Sequence, residues 1–443
     1  MKILFVDSSL PINSRSENPK KLFPSIGIAY VSSYAKKLGH DVKVYDVLYK
    51  QRLNLSLSNI VDTFQPEVVA FGTTTPFAKE TYNLINYTKR LLPSAIIVLG
   101  GPHASVLSPK CLIECKDIDY IIVGEGEIAF SKLLSKLDQI RYDHNNKHLK
   151  NQVGKLRKDK ISHHPISKNL DDLPFPDWSL YDYNIYDLDY SERFKKSKQI
   201  YPILHSRGCT SNCKFCYNIF GKTYRVRSSD NVLQEIEYLH RTFTADFFDF
   251  IDPTMTLHKS KFIGLCNKII KSGLSEKISW KFETRVDCID EEVLESAKRS
   301  GAEKVLYGIE SADNTILSKM EKGIKLTQIK DAISLASALD IKIQAGLIIG
   351  FPYETPYSIQ KTIDFCREMK ARYNNIQFIV GFLGVYPGTE VYKMVNNGEG
   401  NSNWIKGVKE NWDLYFRNAP MIEVGKLNKS KLIKYYEEIK GIA

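Results

Sequence analysis

Short β-branched runs, each followed by an amphipathic stretch, recur along most of the chain, and this alternation restricts the fold more than any single motif does. From residue 1 to about residue 140 the runs are "KILFV", "DVKVYDV", "EVVAFGTTT", "AIIVLGG" and "DYIIVGEGE". Five strands alternating with helices predict an α/β domain over 1–140 with a doubly wound, Rossmann-like parallel sheet. From about residue 200 the runs are "YPILHSR", "DFFDFID", "SWKFETR", "KVLYGIES", "KIQAGLIIGF" and "IQFIVGFLGVYPGT". Helical patterns such as "NVLQEIEYLHRTF", "EEVLESAKRS", "LTQIKDAISLASAL" and "YSIQKTIDFCREMK" separate them. Six strand-helix units predict a partial, TIM-like (β/α)6 barrel over 196–390, with its active site at the carboxyl ends of the strands. Residues 141–195 read as a linker with a hairpin, ending in the proline-rich "LDDLPFPDW", and 391–443 as a helical extension that packs across the barrel or helps close its cavity.

A hydrophobic content of 43% and a charged content of 26% are those of a soluble globular protein, so a disordered or fibrous chain is excluded. No stretch reaches the roughly 18 apolar residues of a membrane span. The N-terminal "MKILFVDSSL" meets Asp7 too early for a signal peptide. The expected location is the cytoplasm. The net charge of +11 is mostly scattered; one denser stretch, Arg141 to Lys168, has few aromatics for stacking on bases and reads as a solvated linker. No nucleic acid partner is expected. Eight cysteines without a secretion signal imply reduced thiols, and clustered ones then read as metal ligands or catalytic groups.

The cluster is "RGCTSNCKFCYN", with Cys209, Cys213 and Cys216 just after the first barrel strand. Thiolates at spacings of four and three can converge on one iron-sulfur cluster from a single loop. Three ligands leave one iron of a 4Fe-4S cluster open. A structural zinc site needs a fourth ligand. Cys266, Cys288 and Cys366 lie singly in helix or strand patterns and read as core residues, and Cys111 and Cys115 as buried thiols. In the first domain the polar and glycine-rich residues fall after the strands: Asp7, Ser8 and Ser9, then Thr73, Thr74 and Thr75, then Gly100, Gly101, Pro102 and His103, then Gly124, Glu125, Gly126 and Glu127. Ligands of doubly wound sheets bind there, and the paired glycines are expected to let backbone approach a bulky ligand. None of these loops is a dinucleotide or nucleoside triphosphate fingerprint.

Cys209-x3-Cys213-x2-Cys216, with an aromatic before the third cysteine, resembles the signature of the radical S-adenosylmethionine (SAM) enzymes. In that family the open iron chelates S-adenosylmethionine, and one electron cleaves it to methionine and a 5′-deoxyadenosyl radical. The resemblance implies further contacts. In "GIES", Glu310 would bind the ribose hydroxyls, with Ser311 beside it. Arg285 of "ETR" would meet the methionine carboxylate, unless Arg285 and Glu310 simply pair with each other. Backbone around Ile349 and Gly350 of "GLIIGFPYET" would face the adenine. The second strand lacks the family's frequent Gly-Gly-Glu, which leaves Asp252 of "DFIDPTMT" as the candidate for the amino group.

"PSIGIAYVSSYAKKLGHDVKVYD", "LGGPHAS", "IIVGEGE" and "LDDLPFPDW" resemble the cobalamin-binding domain that precedes this barrel in one large subfamily, the class B radical methyltransferase type. Many cobalamin domains ligate cobalt through Asp-x-His-x-x-Gly. Here Ser9 stands in the histidine position and Ile12 in the glycine position, so cobalamin is expected without histidine coordination, His103 included. The resemblance implies a cobalamin-dependent enzyme that moves a methyl group from methylcobalamin to an unactivated carbon, or to phosphorus, of a small-molecule, peptide or lipid substrate. An external donor such as flavodoxin or ferredoxin would supply electrons. Cyclisation, rearrangement or oxidation with the same cofactors is the alternative reaction, and a cluster- or cobalamin-bound sensor the alternative of another class. A methylthiotransferase acting on RNA is disfavoured, because residues 1–140 carry no second cysteine triad.

Overall fold

The structure, a computed structural model, describes residues 1–9, 21, 23–142, 160–163, 166–186, 199–416 and 418–442. The chain forms two compact units, Met1–Tyr190 and Ser191–Ala443.

The first unit holds β1 (Lys2–Asp7), β2 (Asp41–Asp46), β3 (Val68–Gly72), β4 (Ile96–Gly100), β5 (Tyr120–Val123) and β6 (Ile161–His163). They form one sheet in the order β2-β1-β3-β4-β5-β6, with every pairing parallel. Ile3, Leu4 and Val6 of β1 are all fully buried, as strands covered on both faces require. Helices Ile26–Lys37 and Gly126–Tyr142 pack together, as do Leu57–Phe64 and Ala78–Leu91. The strand order reverses at β1, so the carboxyl ends of β1 and β3 border the crevice where such sheets take ligands.

The sixth strand is a departure from the five expected. Ile161–His163 lies in the segment read as linker, and it extends the sheet in parallel rather than forming a hairpin strand. Residues 143–159, where most of the basic stretch falls, lie outside the described residues. The "LDDLPFPDW" segment also belongs to the first unit. Trp178 is 1% exposed, Tyr186 donates to Asp46 Oδ2 at 2.8 Å, and the Asp177 amide donates to Ser33 Oγ at 2.6 Å. Large aromatics bury too much apolar surface to remain in a solvated tether.

The second unit is built on β7 (Ile200–Ile203), β8 (Phe247–Phe250), β9 (Ser279–Thr284), β10 (Ala302–Glu310), β11 (Lys342–Ile349) and β12 (Ile376–Phe382). These six strands pair in parallel in sequence order, leaving β7 and β12 as the two edges of an open barrel. The intervening helices begin where short polar side chains cap them. Ser228 Oγ accepts the Asn231 amide at 3.1 Å and Asp290 Oδ1 the Val293 amide at 3.0 Å. Trp280 and Phe282 pack with Phe262 of helix Lys259–Lys271, and Phe250 packs on Trp280. Each such ring stabilises the layer by about 1.5–3 kcal/mol. The opposite face of the same strands carries ionic groups, including Asp249 and Lys281, paired at 2.7 Å and both nearly buried. A packed barrel fills this space with branched apolar side chains.

Beyond β12 the extension is only partly helical. Helix Glu390–Asn396 is followed by a two-stranded antiparallel pairing of Ser402–Trp404 with Ile422–Val424, and then by helix Lys429–Ile442. The last helix packs on β12, with Tyr436 stacked on Phe382 at 4.7 Å. No helix among the described residues is long and apolar enough to cross a membrane.

Candidate functional site

The cysteine loop leaves β7 through a two-residue pairing of Ser206–Arg207 with Arg225–Val226. Gly208 then turns the chain at a φ of 93°, and a Cβ there would lie 2.2 Å from the Thr223 carbonyl oxygen. Only glycine fits such a left-handed, crowded position. Asn218 Nδ2 donates to the Cys209 carbonyl at 2.7 Å, and the Lys214 amide donates to the Met320 carbonyl at 3.0 Å, tying the loop to itself and to the segment after β10. Burial pushes the Cys216 thiol up to about 11, with Cys213 and Cys209 adding to the shift. The three sulfurs are thus near enough to repel one another as thiolates, a repulsion that bound iron relieves. Burial also raises Cys213, against the pull of Lys322 and Arg285. For Cys209, burial is outweighed by hydrogen bonds from Ser211 and Thr254 and by Arg285, which hold it below the ordinary thiol range. The donor set and its cationic surroundings fit a cluster of the 4Fe-4S type. Among the described residues no three His, Cys, Asp or Glu side chains are gathered around one ion. A cubane needs no such gathering, because each thiolate meets its own iron.

Cations and carboxylates from the ends of β9 and β10 surround this loop. Arg285 Nη1 lies 3.9 Å from Cys213 Sγ, while its Nε and Nη2 each bond Asp287 at 2.8 Å. Glu310 pairs with Lys322 Nζ at 2.8 Å, so the expected alternative of an Arg285–Glu310 pair is not realised. Glu310 takes a φ of 62° where the register between β10 and β11 shifts past Gly308. Such strain in a non-glycine residue gathers at functional sites. A Cβ on Gly308 would lie 2.6 Å from Glu310 Oε1 and 2.9 Å from Lys322 Nζ, so glycine makes room for the pair.

Several expected contacts are placed differently. Asp252 is fully buried and turned into the protein, accepting the His205 amide at 3.0 Å, the Ser206 amide and the Ser206 hydroxyl at 2.5 Å. Its oxygens are therefore engaged and not directed at a ligand. Burial pushes it up to about 6 in spite of these donors. Ser311 is 1% exposed, with Oγ accepting the Asp313 amide at 3.2 Å, so it does not stand beside Glu310 as a second contact. The Ile349 carbonyl accepts the Leu383 amide at 2.8 Å, and the Gly350 amide donates to Glu354 Oε2 at 2.6 Å. The backbone expected to face adenine thus spends these groups on its own fold, held by the buried Glu354. Cys266 and Cys366 are core residues as read, whereas Cys288 is half-exposed in the turn after β9.

Two residues near the cysteine loop were not singled out from sequence. Lys322 follows the short helix Asn314–Lys319, and contacts across the fold mark it: Nζ lies 2.8 Å from Glu310 Oε1 and 5.8 Å from the centre of the Phe215 ring, and its carbonyl accepts Arg285 Nη2 at 2.7 Å. Glu283 lies near the end of β9, two residues before Arg285; its backbone carbonyl accepts the Met255 amide at 3.0 Å, while its carboxyl has no hydrogen-bond or ion-pair partner among the described residues. Burial and the nearby Asp249 push Glu283 up to about 7.

In the first unit the loop residues gather at the carboxyl ends of β1, β3, β4 and β5. Ser8 Oγ donates to the Gly72 carbonyl at 2.9 Å and lies 2.7 Å from Thr81 Oγ1, which reaches Thr73 Oγ1 at 2.8 Å. His103 is 1% exposed, with its ring nitrogens 3.1 Å from the Tyr82 hydroxyl and 3.2 Å from Thr75 Oγ1. Burial, aided by Lys110, pushes His103 down to about 4, so it packs as a neutral imidazole with Tyr82 and Thr75 at its ring nitrogens. Asp7 is fully buried and bonded to Lys21 Nζ at 2.6 Å, which also reaches Asp46 at 2.6 Å. The expected close approach at the paired glycines has an internal cause at Gly101. Its φ is 95° and a Cβ would lie 2.5 Å from the Thr73 carbonyl oxygen, whereas Gly100 has room for one. Ser9, Thr74, Gly100, Gly101, Pro102, Gly124, Glu125 and Gly126 remain partly exposed around the strand ends, and Glu127 is buried. This rim of small and polar groups fits a large, flat, polar-edged cofactor better than a nucleoside triphosphate, for which no phosphate loop is present.

Comparison with known proteins agrees with both halves of this description. The radical SAM superfamily profile matches residues 203–366, and the B12 binding domain profile matches residues 17–134. The uncharacterized methyltransferase PH0819 of Pyrococcus horikoshii is 30% identical over 93% of this chain and 88% of its own length. The anaerobic magnesium-protoporphyrin IX monomethyl ester cyclase of Rubrivivax gelatinosus is 28% identical over 83% of this chain, which spans 66% of that protein. Among solved structures, the radical S-adenosylmethionine methyltransferase TsrM of Kitasatospora setae, with cobalamin and its iron-sulfur cluster bound, shares the fold. It superposes with a TM-score of 0.72 at 14% identity, covering 100% of this chain and 89% of its own. The chain belongs to the cobalamin-binding radical S-adenosylmethionine enzymes, whose cofactors are a 4Fe-4S cluster, S-adenosylmethionine and cobalamin.

Proposed function

We propose that the enzyme transfers a methyl group to an unactivated carbon, or to phosphorus, of a small-molecule substrate by a radical route. The observation that carries this reading is the meeting of Cys213, Arg285 and the Glu310–Lys322 pair at the carboxyl ends of β9 and β10, within a chain that also bears a cobalamin domain. When bound, the three cofactors together supply an electron, a carbon-centred radical and a methyl carrier.

The chain's own residues bind and orient. Cys209, Cys213 and Cys216 would hold the 4Fe-4S cluster, which would supply the electron that cleaves the cosubstrate. Lys322 and Arg285, both beside Cys213, are suited to a carboxylate there, Arg285 through the fork that Asp287 holds in plane. Glu310 accepts ribose hydroxyls, and its strained backbone fixes the direction of its carboxylate. Glu283, a carboxyl without a partner near the end of β9 and two residues before Arg285, takes the cationic amino group in place of Asp252. The rim of Ser9, Thr74, Gly100 to Pro102 and Gly124 to Gly126 would seat cobalamin, which would carry the methyl group. Reduction of the cluster draws on an external one-electron carrier, as radical S-adenosylmethionine enzymes commonly do.

In turnover, each methylated product should be accompanied by one S-adenosylhomocysteine and one 5′-deoxyadenosine. Product formed with 5′-deoxyadenosine alone would favour the second reading, cyclisation or oxidation without methyl transfer, which the likeness to the cyclase supports.

A further inference from the structure

We propose that Asp252 is the positioning residue of the cysteine loop, clamping its first residues so that Cys209 is presented to the cluster. The inference rests on the assignment of Cys209, Cys213 and Cys216 as cluster ligands. Asp252 follows β8, the strand paired with β7, so its carboxylate lies under the point where the chain leaves β7 for the loop. Three donors converge on it: the His205 amide at 3.0 Å on Oδ2, and the Ser206 amide and hydroxyl on Oδ1. Two residues further on, Thr254 Oγ1 lies 3.8 Å from Cys209 Sγ. The segment Asp252–Thr254 therefore touches the loop both at its root and at its first ligand. Between those contacts stand only Arg207, in the short pairing with Arg225, and Gly208, whose geometry admits no Cβ. With the root held and the turn fixed, little freedom remains for Cys209.

The rest of the root is held from the other side. The Arg227 amide donates to the His205 carbonyl at 2.9 Å, and Arg227 Nη1 donates to the Leu204 carbonyl at 2.8 Å. His205 contributes nothing through its ring, since neither nitrogen has a hydrogen-bond partner. Asp252 is thus what satisfies the amides of His205 and Ser206, which are buried and otherwise costly to leave unmade. Asparagine cannot replace it, because its amide nitrogen would face a backbone N–H that can only donate.

The test compares wild type, D252N and S206A, each reconstituted anaerobically without S-adenosylmethionine. Three readouts are needed: iron release to bathophenanthroline, the paramagnetic resonance spectrum of the reduced cluster, and thermal unfolding. A positioning role predicts roughly tenfold faster release and a shifted spectrum for D252N, as expected from losing about 1.4 kcal/mol or more of buried hydrogen bonding. S206A, which loses only the hydroxyl contact, should fall between D252N and wild type, with unfolding of both variants still cooperative. If D252N does not fold, faster release from S206A supports the proposal and wild-type release from it overturns it. Wild-type release and spectrum in D252N overturn it as well; if a separate titration of the same reconstituted protein with S-adenosylmethionine then shows weakened binding, Asp252 is assigned to the amino group instead. A wild-type protein that holds no iron overturns the ligand assignment itself.

Discussion

Glu310 and Lys322 form an ion pair across a separation of twelve residues, at the strained end of β10 and beside the cysteine loop. If they hold the ribose and the carboxylate of S-adenosylmethionine, Glu310→Ala and Lys322→Met should each weaken its binding by about 1.5–3 kcal/mol, the range for hydrogen bonds to charged groups. Equilibrium binding to the reconstituted protein reads this directly, and affinity within twofold of wild type in both variants would reject the roles. Sequence made Glu310 and Arg285 legible because each closes a strand with a recognisable motif. Lys322 was hidden because helix Asn314–Lys319 and a turn intervene, so its neighbour in space is distant along the chain. Asp252 was legible as a strand-end carboxylate but not in its role. Nothing in the string "DFIDPTMT" distinguishes an acid that faces a ligand from one that collects backbone amides; only its three donors do.

At the scale of elements, the cysteine loop depends on Gly208 and the first-unit sheet on neutral His103. Gly208→Ala combines a φ of 93° with a 2.2 Å approach to the Thr223 carbonyl, so it should strain the loop by about 1–3 kcal/mol and lower the iron bound per chain after reconstitution. Full iron loading would show that the loop can turn another way. His103 titrates near 4 in the fold against an ordinary 6.5, so the unfolded chain binds more protons between those values. Stability from this group is complete above pH 6.5 and is lost as pH falls towards 4. The stability of wild type should fall over that window more steeply than that of His103→Gln; parallel curves would remove His103 from the linkage. The strands themselves were readable wherever β-branched runs were long. Strand β6 was not, because three residues after a charged stretch carry no periodicity, and pairing with β5 is what makes them a strand.

The whole molecule joins two parallel-sheet units, each legible as an alternation of strand and helix, and the comparisons assign a cofactor-binding family to each. What the alternation could not show is where one unit ends. The aromatic segment through Trp178 and Tyr186 looks like tether in sequence, yet it packs into the first unit, because its contacts with Ser33 and Asp46 are made across more than a hundred residues of chain. Methyl transfer by way of cobalamin is the central claim, and it can be tested without knowing the substrate. Reduced holoenzyme is incubated with S-adenosylmethionine carrying a ¹³C-labelled methyl group, and the protein-bound cobalamin is then extracted and analysed by mass spectrometry. The expected result is labelled methyl on cobalamin together with an equal amount of S-adenosylhomocysteine. Formation of 5′-deoxyadenosine with neither label on cobalamin nor S-adenosylhomocysteine would contradict methyl transfer.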